Sequence, residues 1–255
     1  MSNLRIFDLN QWDAQTLEGT GYDTGWTYVN TQHRWKTKSC RLTGITSKYI
    51  RTTGSSALTA NAFFIFFHNI TATGTITVKG SNTNWGATPF SQAMTRTGDL
   101  FIYVSPTLLT YDDFGFWVND ASNTDGYLEL GRVWLGEYYE ETAGYSPDIQ
   151  ETQEDPSVVM ESTGGQVSIL EREKFKTWLM PFDCVYNKTR YDTFVDRVGT
   201  SKEFVMLKQP TGYQGTDFPT PENYSFYVSL VSHDEKLLAG TLYSAILKIK
   251  EEQTK

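Results

Sequence analysis

Thr75-Ile76-Thr77-Val78-Lys79 alternates polar and apolar side chains with a period of two, which puts Ile76 and Val78 on the inward face of a strand. Working outward from it, the first half of the chain keeps the same texture. Short apolar or alternating runs lie at Trp26–Val29, Trp35–Leu42, Tyr49–Arg51, Ala62–Phe67, Asp99–Val104, Phe114–Asn119 and Tyr127–Leu135, separated by Gly, Asn, Asp and Thr. With Thr73–Gly80 they make eight short strands and no helix between them, the pattern of a β-sandwich or jelly roll.

Composition agrees with strands. Aromatic residues are 15% of the 255 positions, and Tyr, Trp, Phe and Thr suit pleated, half-buried surfaces. The same Tyr and Trp excess fits subunit contacts, where one end of the ring stays polar. A net charge of −8 argues against a broad phosphate-binding face, so no direct nucleic-acid binding is expected. The basic cluster His33 to Arg41 alternates with Trp35 and Thr37 and reads as the outer face of a strand. No apolar run approaches the length of a membrane span, and the N-terminal residues carry no apolar leader core, so cytoplasmic synthesis is expected. The three Asn-X-Ser/Thr triplets, at Asn69, Asn187 and Asn223, then read as chance matches.

From Glu137 to Thr163 the texture changes: acidic residues and two prolines replace large aliphatics, so 138–163 is expected to be a linker or surface strap between a first module, 1–137, and a second, 164–255. Gln166–Leu170 and Thr177–Phe182 read as strands. Within Val185–Val198, Tyr191, Phe194, Val195 and Val198 share one helical face, and Gly199 is placed to end it. Phe204–Lys208, Tyr224–Leu230 and Thr241–Ile249 complete a β-β-α-β-β-β order. The long Pro- and Gly-rich loop from Lys208 to Tyr224, holding Pro210, Tyr213, Phe218 and Pro219, is a candidate for partner contact.

Catalytic chemistry lacks its usual anchors. The three histidines have no ligand spacing, and nucleophile-elbow, P-loop and dinucleotide patterns are absent, so neither enzyme activity nor a metal or other cofactor is expected. The two cysteines, Cys40 and Cys184, are too far apart for a zinc pair and read as reduced core or interface residues. Asn119 to Gly126 fails the calcium-loop pattern and reads as a polar turn. The pairs Asp112-Asp113 and Glu140-Glu141 read as solvated acids, since neighbours on a strand point to opposite faces. Two rings are candidate ligand or partner contacts, Trp26 and Trp85. Trp85 sits in a polar loop, either exposed for stacking on a sugar or packed over the end of the sandwich; Trp117 reads as core.

The aromatic run ending in His68-Asn69-Ile70, the strand Thr75-Ile76-Thr77-Val78-Lys79-Gly80-Ser81-Asn82, and the closing stretch Gly126-Tyr127-Leu128-Glu129-Leu130-Gly131-Arg132-Val133-Trp134-Leu135-Gly136 together resemble the galactose-binding-like (discoidin-type) jelly roll of bacteriophage tail and virion proteins. The second module is similar, by element order, to the β-sandwich-plus-helix module of tail-tube and distal-tail proteins, a resemblance that implies an inter-subunit arm in the loop from Lys208 to Tyr224. The resemblance implies a virion structural component at the tail tip, distal tail or baseplate, assembled as a hexameric or trimeric ring and touching neighbouring tail proteins. The alternative it implies is a receptor- or carbohydrate-binding tail protein that meets a host surface glycan through the jelly roll. A glycan-degrading enzyme using Asp112 or Glu140 ranks last.

Overall fold

The computed structural model describes residues 4–33, 38–54, 56–140, 148–161, 163, 166–172, 174–208, 225–239 and 242–252. Its strands, in chain order, begin with β1 (Leu4–Phe7), β2 (Leu17–Gly19), β3 (Cys40–Thr43), β4 (Lys48–Thr52) and β5 (Leu58–Phe66). Next come β6 (Thr75–Ser81), β7 (Phe90–Ala93), β8 (Thr95–Thr97), β9 (Leu100–Tyr111), β10 (Asp113–Asn119), β11 (Tyr127–Leu130) and β12 (Val133–Gly136). The remainder are β13 (Tyr139–Glu140), β14 (Gln150–Glu154), β15 (Val158–Glu161), β16 (Val167–Leu170) and β17 (Phe175–Val185), then helix α1 (Lys188–Val198), β18 (Glu203–Lys208), β19 (Ser225–Ala239) and β20 (Leu242–Glu251). The protein is mainly β, as its alternation predicts.

The described residues form two compact units, one of residues 9–138 and the other of residues 4–8 with those from 139 onward. The first is a β-sandwich of the jelly-roll kind. A five-stranded sheet, β2-β4-β10-β6-β7, and a four-stranded sheet, β12-β5-β9-β8, are both antiparallel, with the short pair β11-β3 beside them. Ile50, Ile76, Val78, Phe114, Phe116 and Val118 from one sheet share a core with Phe63, Ile65, Phe101, Val133 and Leu135 from the other. Ile76 and Val78 are fully buried, as the period-two reading requires. Trp12 joins that core from a 3-10 turn at Gln11–Ala14, its indole N–H donating to Thr31 Oγ1 over 2.9 Å.

Two local expectations change. The run Trp26–Val29, expected as a strand, lies in a connection that becomes a 3-10 turn at Tyr28–Gln32; the Thr31 hydroxyl donates back to the Tyr28 carbonyl and closes it. Tyr127–Leu135, expected as one strand, is β11 and β12 in different sheets. It breaks at Gly131, where an added Cβ would meet the Phe66 and Phe67 backbone oxygens at 2.7 and 2.8 Å. Of the basic stretch His33 to Arg41, residues 34–37 lie outside the described residues.

The second unit is built on a seven-stranded antiparallel sheet, β13-β1-β18-β19-β20-β17-β14. Its strand β1 comes from the N-terminus, which sequence reading assigned to the first module: Leu4 to Phe7 pair with Lys208 to Val205, and Arg5 and Ile6 with Glu140 and Tyr139. Within the expected acidic linker, β14 pairs with β17 as an edge strand, Gln150 opposite Leu179. Backbone pairing, which needs no large side chains, explains how so polar a segment joins a sheet. Helix α1 follows from its i, i+3, i+4, i+7 apolar face: Tyr191, Phe194, Val195 and Val198 are buried. Asn187 Oδ1 accepts from Arg190 N at 3.1 Å at its start, and Gly199 ends it at φ +52°. The Asp8 carboxylate, its side chain 1% exposed, accepts from both Arg190 (2.6 Å) and Arg197 (3.0 Å) of that helix.

Candidate functional site

Sheet alternation decides which side chains leave the sandwich. In β10, Phe114, Phe116 and Val118 point inward, so Gly115 and Trp117 must point outward. Trp117, expected in the core, is half-buried on the outer face of the five-stranded sheet. The register sets its neighbours. Tyr49, Trp117, Thr77 and Ala93 form one outward row, and Glu18, Arg51, Gly115, Lys79 and Ser91 form the next.

These rows make an aromatic and cationic platform. The Trp117 ring stacks beside Tyr49 with centroids 5.6 Å apart and planes 24° from parallel. Trp85 meets Trp117 at 5.0 Å, tilted by 56°. The Arg51 guanidinium lies 4.8 Å from the Tyr49 ring centre and 5.1 Å from that of Trp85. The Lys79 ammonium lies 4.5 Å from that of Trp117. Each cation sits in cation–π range of a ring. Arg51 also pairs with Glu18. Lys79 has no carboxylate partner among the described residues.

The loop that supplies Trp85 is held by its own polar side chains. Ser81 Oγ accepts from Thr83 N and Trp85 N at 3.2 and 3.0 Å, and Thr83 Oγ1 from Ala87 N at 2.8 Å. Asn84 and Trp85 adopt left-handed backbone conformations, φ +46° and +68°. The Trp85 indole N–H donates to the Thr52 carbonyl at 3.1 Å. The ring is therefore half-buried against the sheet face and fixed beside Trp117.

Trp26 has a different setting. The Arg41 guanidinium lies 3.5 Å from its ring centre and 4.6 Å from that of Tyr127, while Arg41 Nε donates to Glu129 at 3.0 Å and the Ser39 hydroxyl donates to the same carboxylate. One face of Trp26 is thus occupied, and Trp26 and Trp85 belong to separate clusters. Near the second cluster a cleft of about 250 Å³ is lined by Phe67, His68, Asn69, Asp99 and Glu129. His68 Nδ1 accepts from Ile70 N at 3.2 Å, and its buried Nε2 has no hydrogen-bond partner among the described residues. Burial, aided by the Arg96 charge, lowers its imidazole to about 4.

The remaining candidates divide plainly. Pro210, Tyr213, Phe218 and Pro219, the candidate inter-subunit arm, lie outside the described residues. Asp113 is buried and accepts from Gly54 N (2.8 Å) and Thr52 Oγ1 (3.2 Å), a structural role, and Glu140 pairs with Arg5 at 2.9 Å. The polar turn after β10 is closed by Asp120, which accepts from Thr71 N and Oγ1 at 2.6 and 2.7 Å. No group of three metal-ligating side chains occurs among the described residues, and no described helix is long and apolar enough to cross a membrane. Cys40 is a free, buried thiol that burial pushes up to about 12; Cys184 is free and half-buried.

The platform was legible in three short stretches that sequence reading passed over. Once Ile50 faces inward, Tyr49 and Arg51 face out; once Val78 faces inward, Lys79 faces out. The same count in Phe114-Gly115-Phe116-Trp117-Val118 exposes Trp117. Which of these residues stand side by side depends on strand register, which a single sequence does not display.

No family model matches the sequence, and no curated protein matches it. Among solved structures, the chain is similar to the family 32 carbohydrate-binding module from C. perfringens NanJ in complex with galactose, at 6% identity and a TM-score of 0.42, over 53% of this chain and 99% of that one. It is similar also to chitosan-binding module 1 of a chitosanase/glucanase from Paenibacillus sp. IK-5 (13%, TM-score 0.38, 48% and 94%). A third is the family 32 module of AlyQ in complex with 4,5-unsaturated mannuronic acid (17%, TM-score 0.37, 47% and 92%).

Proposed function

We propose that this protein is a non-enzymatic carbohydrate-binding protein whose first unit holds a glycan on the outer face of its five-stranded sheet. One observation carries the reading: the Trp117 ring reaches over Gly115, flanked by Tyr49 and Trp85, on the outer face of the sheet away from the core. Half-buried rings fixed by a sheet lose little freedom on binding, which favours stacking against the apolar face of a sugar. Hydrogen-bonding and charged groups at the platform's edge, Arg51 and Lys79, would orient the sugar hydroxyls. The test is binding of the full chain to a broad glycan array, beside Trp117→Ala. Retained fold with binding lost in the variant supports the reading; a wild-type chain that binds no glycan removes it.

A second reading, a self-assembling structural component of a bacteriophage tail, draws on another observation. The hairpin β15-β16 exposes Val158, Val159, Met160, Val167, Ile169 and Leu170 on both of its faces, each between 38% and 65% accessible. A two-stranded hairpin is marginal alone in water, and so apolar a one gains by burial against another chain. Sedimentation of the purified protein as a ring-sized oligomer, and its presence in purified virions, would support this reading. A monomer absent from virions would remove it.

A further inference from the structure

We infer that the platform selects anionic glycans, those carrying carboxylate or sulfate groups; this rests on the carbohydrate-binding reading above. Strand register puts Arg51 and Lys79 on opposite sides of Gly115, about 10 Å apart across three neighbouring strands. Trp117 reaches over Gly115 with the Lys79 ammonium against its ring, and Arg51 lies against the neighbouring Tyr49 and Trp85 rings. A sugar that meets this aromatic cluster therefore finds the Lys79 ammonium at Trp117 and the Arg51 guanidinium at Tyr49 and Trp85.

The two cations are not equivalent. Arg51 already shares the Glu18 carboxylate, half of whose side chain remains accessible at 43%. Lys79 is set against the Trp117 ring alone, and its ammonium has no acid to neutralise it among the described residues. Its row neighbours are Gly115 and Ser91, and the adjacent row contributes Thr77 and Ala93, all uncharged. Glu18 is the one acid on these two rows. Within these two rows the cations outnumber the acid, on a chain whose net charge is −8. An acidic chain repels polyanions at long range, so a local excess of cations with an unpaired lysine beside a stacking ring is specific in sign. Ring stacking fixes the plane of the sugar, and the ammonium is then a point charge within reach of an acidic substituent. A neutral sugar uses the rings and leaves Lys79 without a counter-charge.

Matched polymers that differ only in charge test this. The full chain is titrated with polygalacturonate and with its methyl ester, and with heparin and desulfated heparin, at low and at moderate salt. The first pair reports on carboxylate and the second on sulfate. The expected result is binding to a charged member at least roughly tenfold tighter than to its uncharged partner, equivalent to about 1.4 kcal/mol. That preference should shrink as salt rises and disappear in Lys79→Gln, while Trp117→Ala loses binding to both members. Lys79 sits on the outer face, and retention of the wild-type melting curve in Lys79→Gln identifies the loss as one of recognition. Equal binding to charged and uncharged members overturns the inference and leaves the carbohydrate reading standing. A charge preference unchanged in Lys79→Gln and Arg51→Gln also overturns it, since the preference then arises elsewhere. Absence of binding to these polymers and to every sugar of a neutral glycan array overturns both.

Discussion

A Cβ placed on Gly115 would stand 2.9 Å from Cζ3 of Trp117 and 2.5 Å from Cβ of Arg51. The absence of a side chain at Gly115 is what lets the Trp117 ring reach over it. Gly115→Ala should therefore lift the ring and spread β4 from β10, at a cost of about 1–3 kcal/mol for overpacking. The expected outcome is glycan binding lost with the melting temperature only moderately lowered. An alanine variant that binds as well as the parent would show that the ring's position does not matter.

The Trp85 indole N–H bonds to the Thr52 carbonyl, so the loop from Ser81 to Gly86 is tied to the platform through one hydrogen bond and one ring contact. Trp85→Phe keeps an aromatic ring and removes the bond. It should cost about 1 kcal/mol of stability or less and weaken binding less than Trp117→Ala does. Calorimetry on both variants orders them, and a larger binding loss in Trp85→Phe would move the centre of the site into the loop.

His68 makes stability depend on pH in the mildly acid range. Burial lowers its pKa from 6.5 to about 4. Between those values the unfolded chain binds a proton that the folded chain does not. Its contribution is therefore intact above about pH 6.5 and is lost as the pH falls toward 4. Allowing for the partial exposure of the residue, the loss should be roughly 2 kcal/mol. Urea unfolding across this range should show the decline in the parent and a flatter profile in His68→Gln. An imidazole that titrates near its ordinary value, followed by NMR, would contradict the assigned burial.

Arg132 is 4% exposed and pairs through both terminal nitrogens with Asp13, joining the segment before β12 to the 3-10 turn that carries Trp12. Arg132→Met removes one partner of a partly buried pair and should destabilise the protein by about 2–3 kcal/mol. Asp13, whose carboxyl burial already raises, should then protonate at still higher pH. Chemical denaturation measures the first effect. A neutral result would mean that hydration compensates for the lost pair.

Val159 and Ile169 are opposite each other in the exposed hairpin. If the hairpin mediates self-association, Val159→Glu with Ile169→Glu should convert oligomer to monomer in sedimentation velocity while leaving the melting temperature nearly unchanged, since surface substitutions away from special features stay within about 0.5 kcal/mol. An oligomer that survives the double substitution places the contact elsewhere.

Alternation made much of the jelly roll readable in advance: Ile76 and Val78 face the core, and the helix over Tyr191 to Val198 shows its buried face in its spacing. What stayed hidden depends on contacts between distant residues. Nothing in Leu4-Arg5-Ile6-Phe7 reveals that its hydrogen bonds go to β18, some 200 residues away. Gln150 to Glu154 lacks the apolar residues that announce a strand, yet pairs with β17 through its backbone. Trp117 was misplaced because an aromatic among aromatics suggests core until the phase of the strand is counted. The candidate rings Trp26 and Trp85 were visible singly; their membership of two clusters was not.

The central claim is that the Trp117 face binds glycan, and the most direct measurement is a glycan-array comparison of the full chain with Trp117→Ala, both checked for fold by circular dichroism. The expected result is binding to at least one glycan class by the parent and its loss in the variant. Undiminished binding by a folded Trp117→Ala would contradict it.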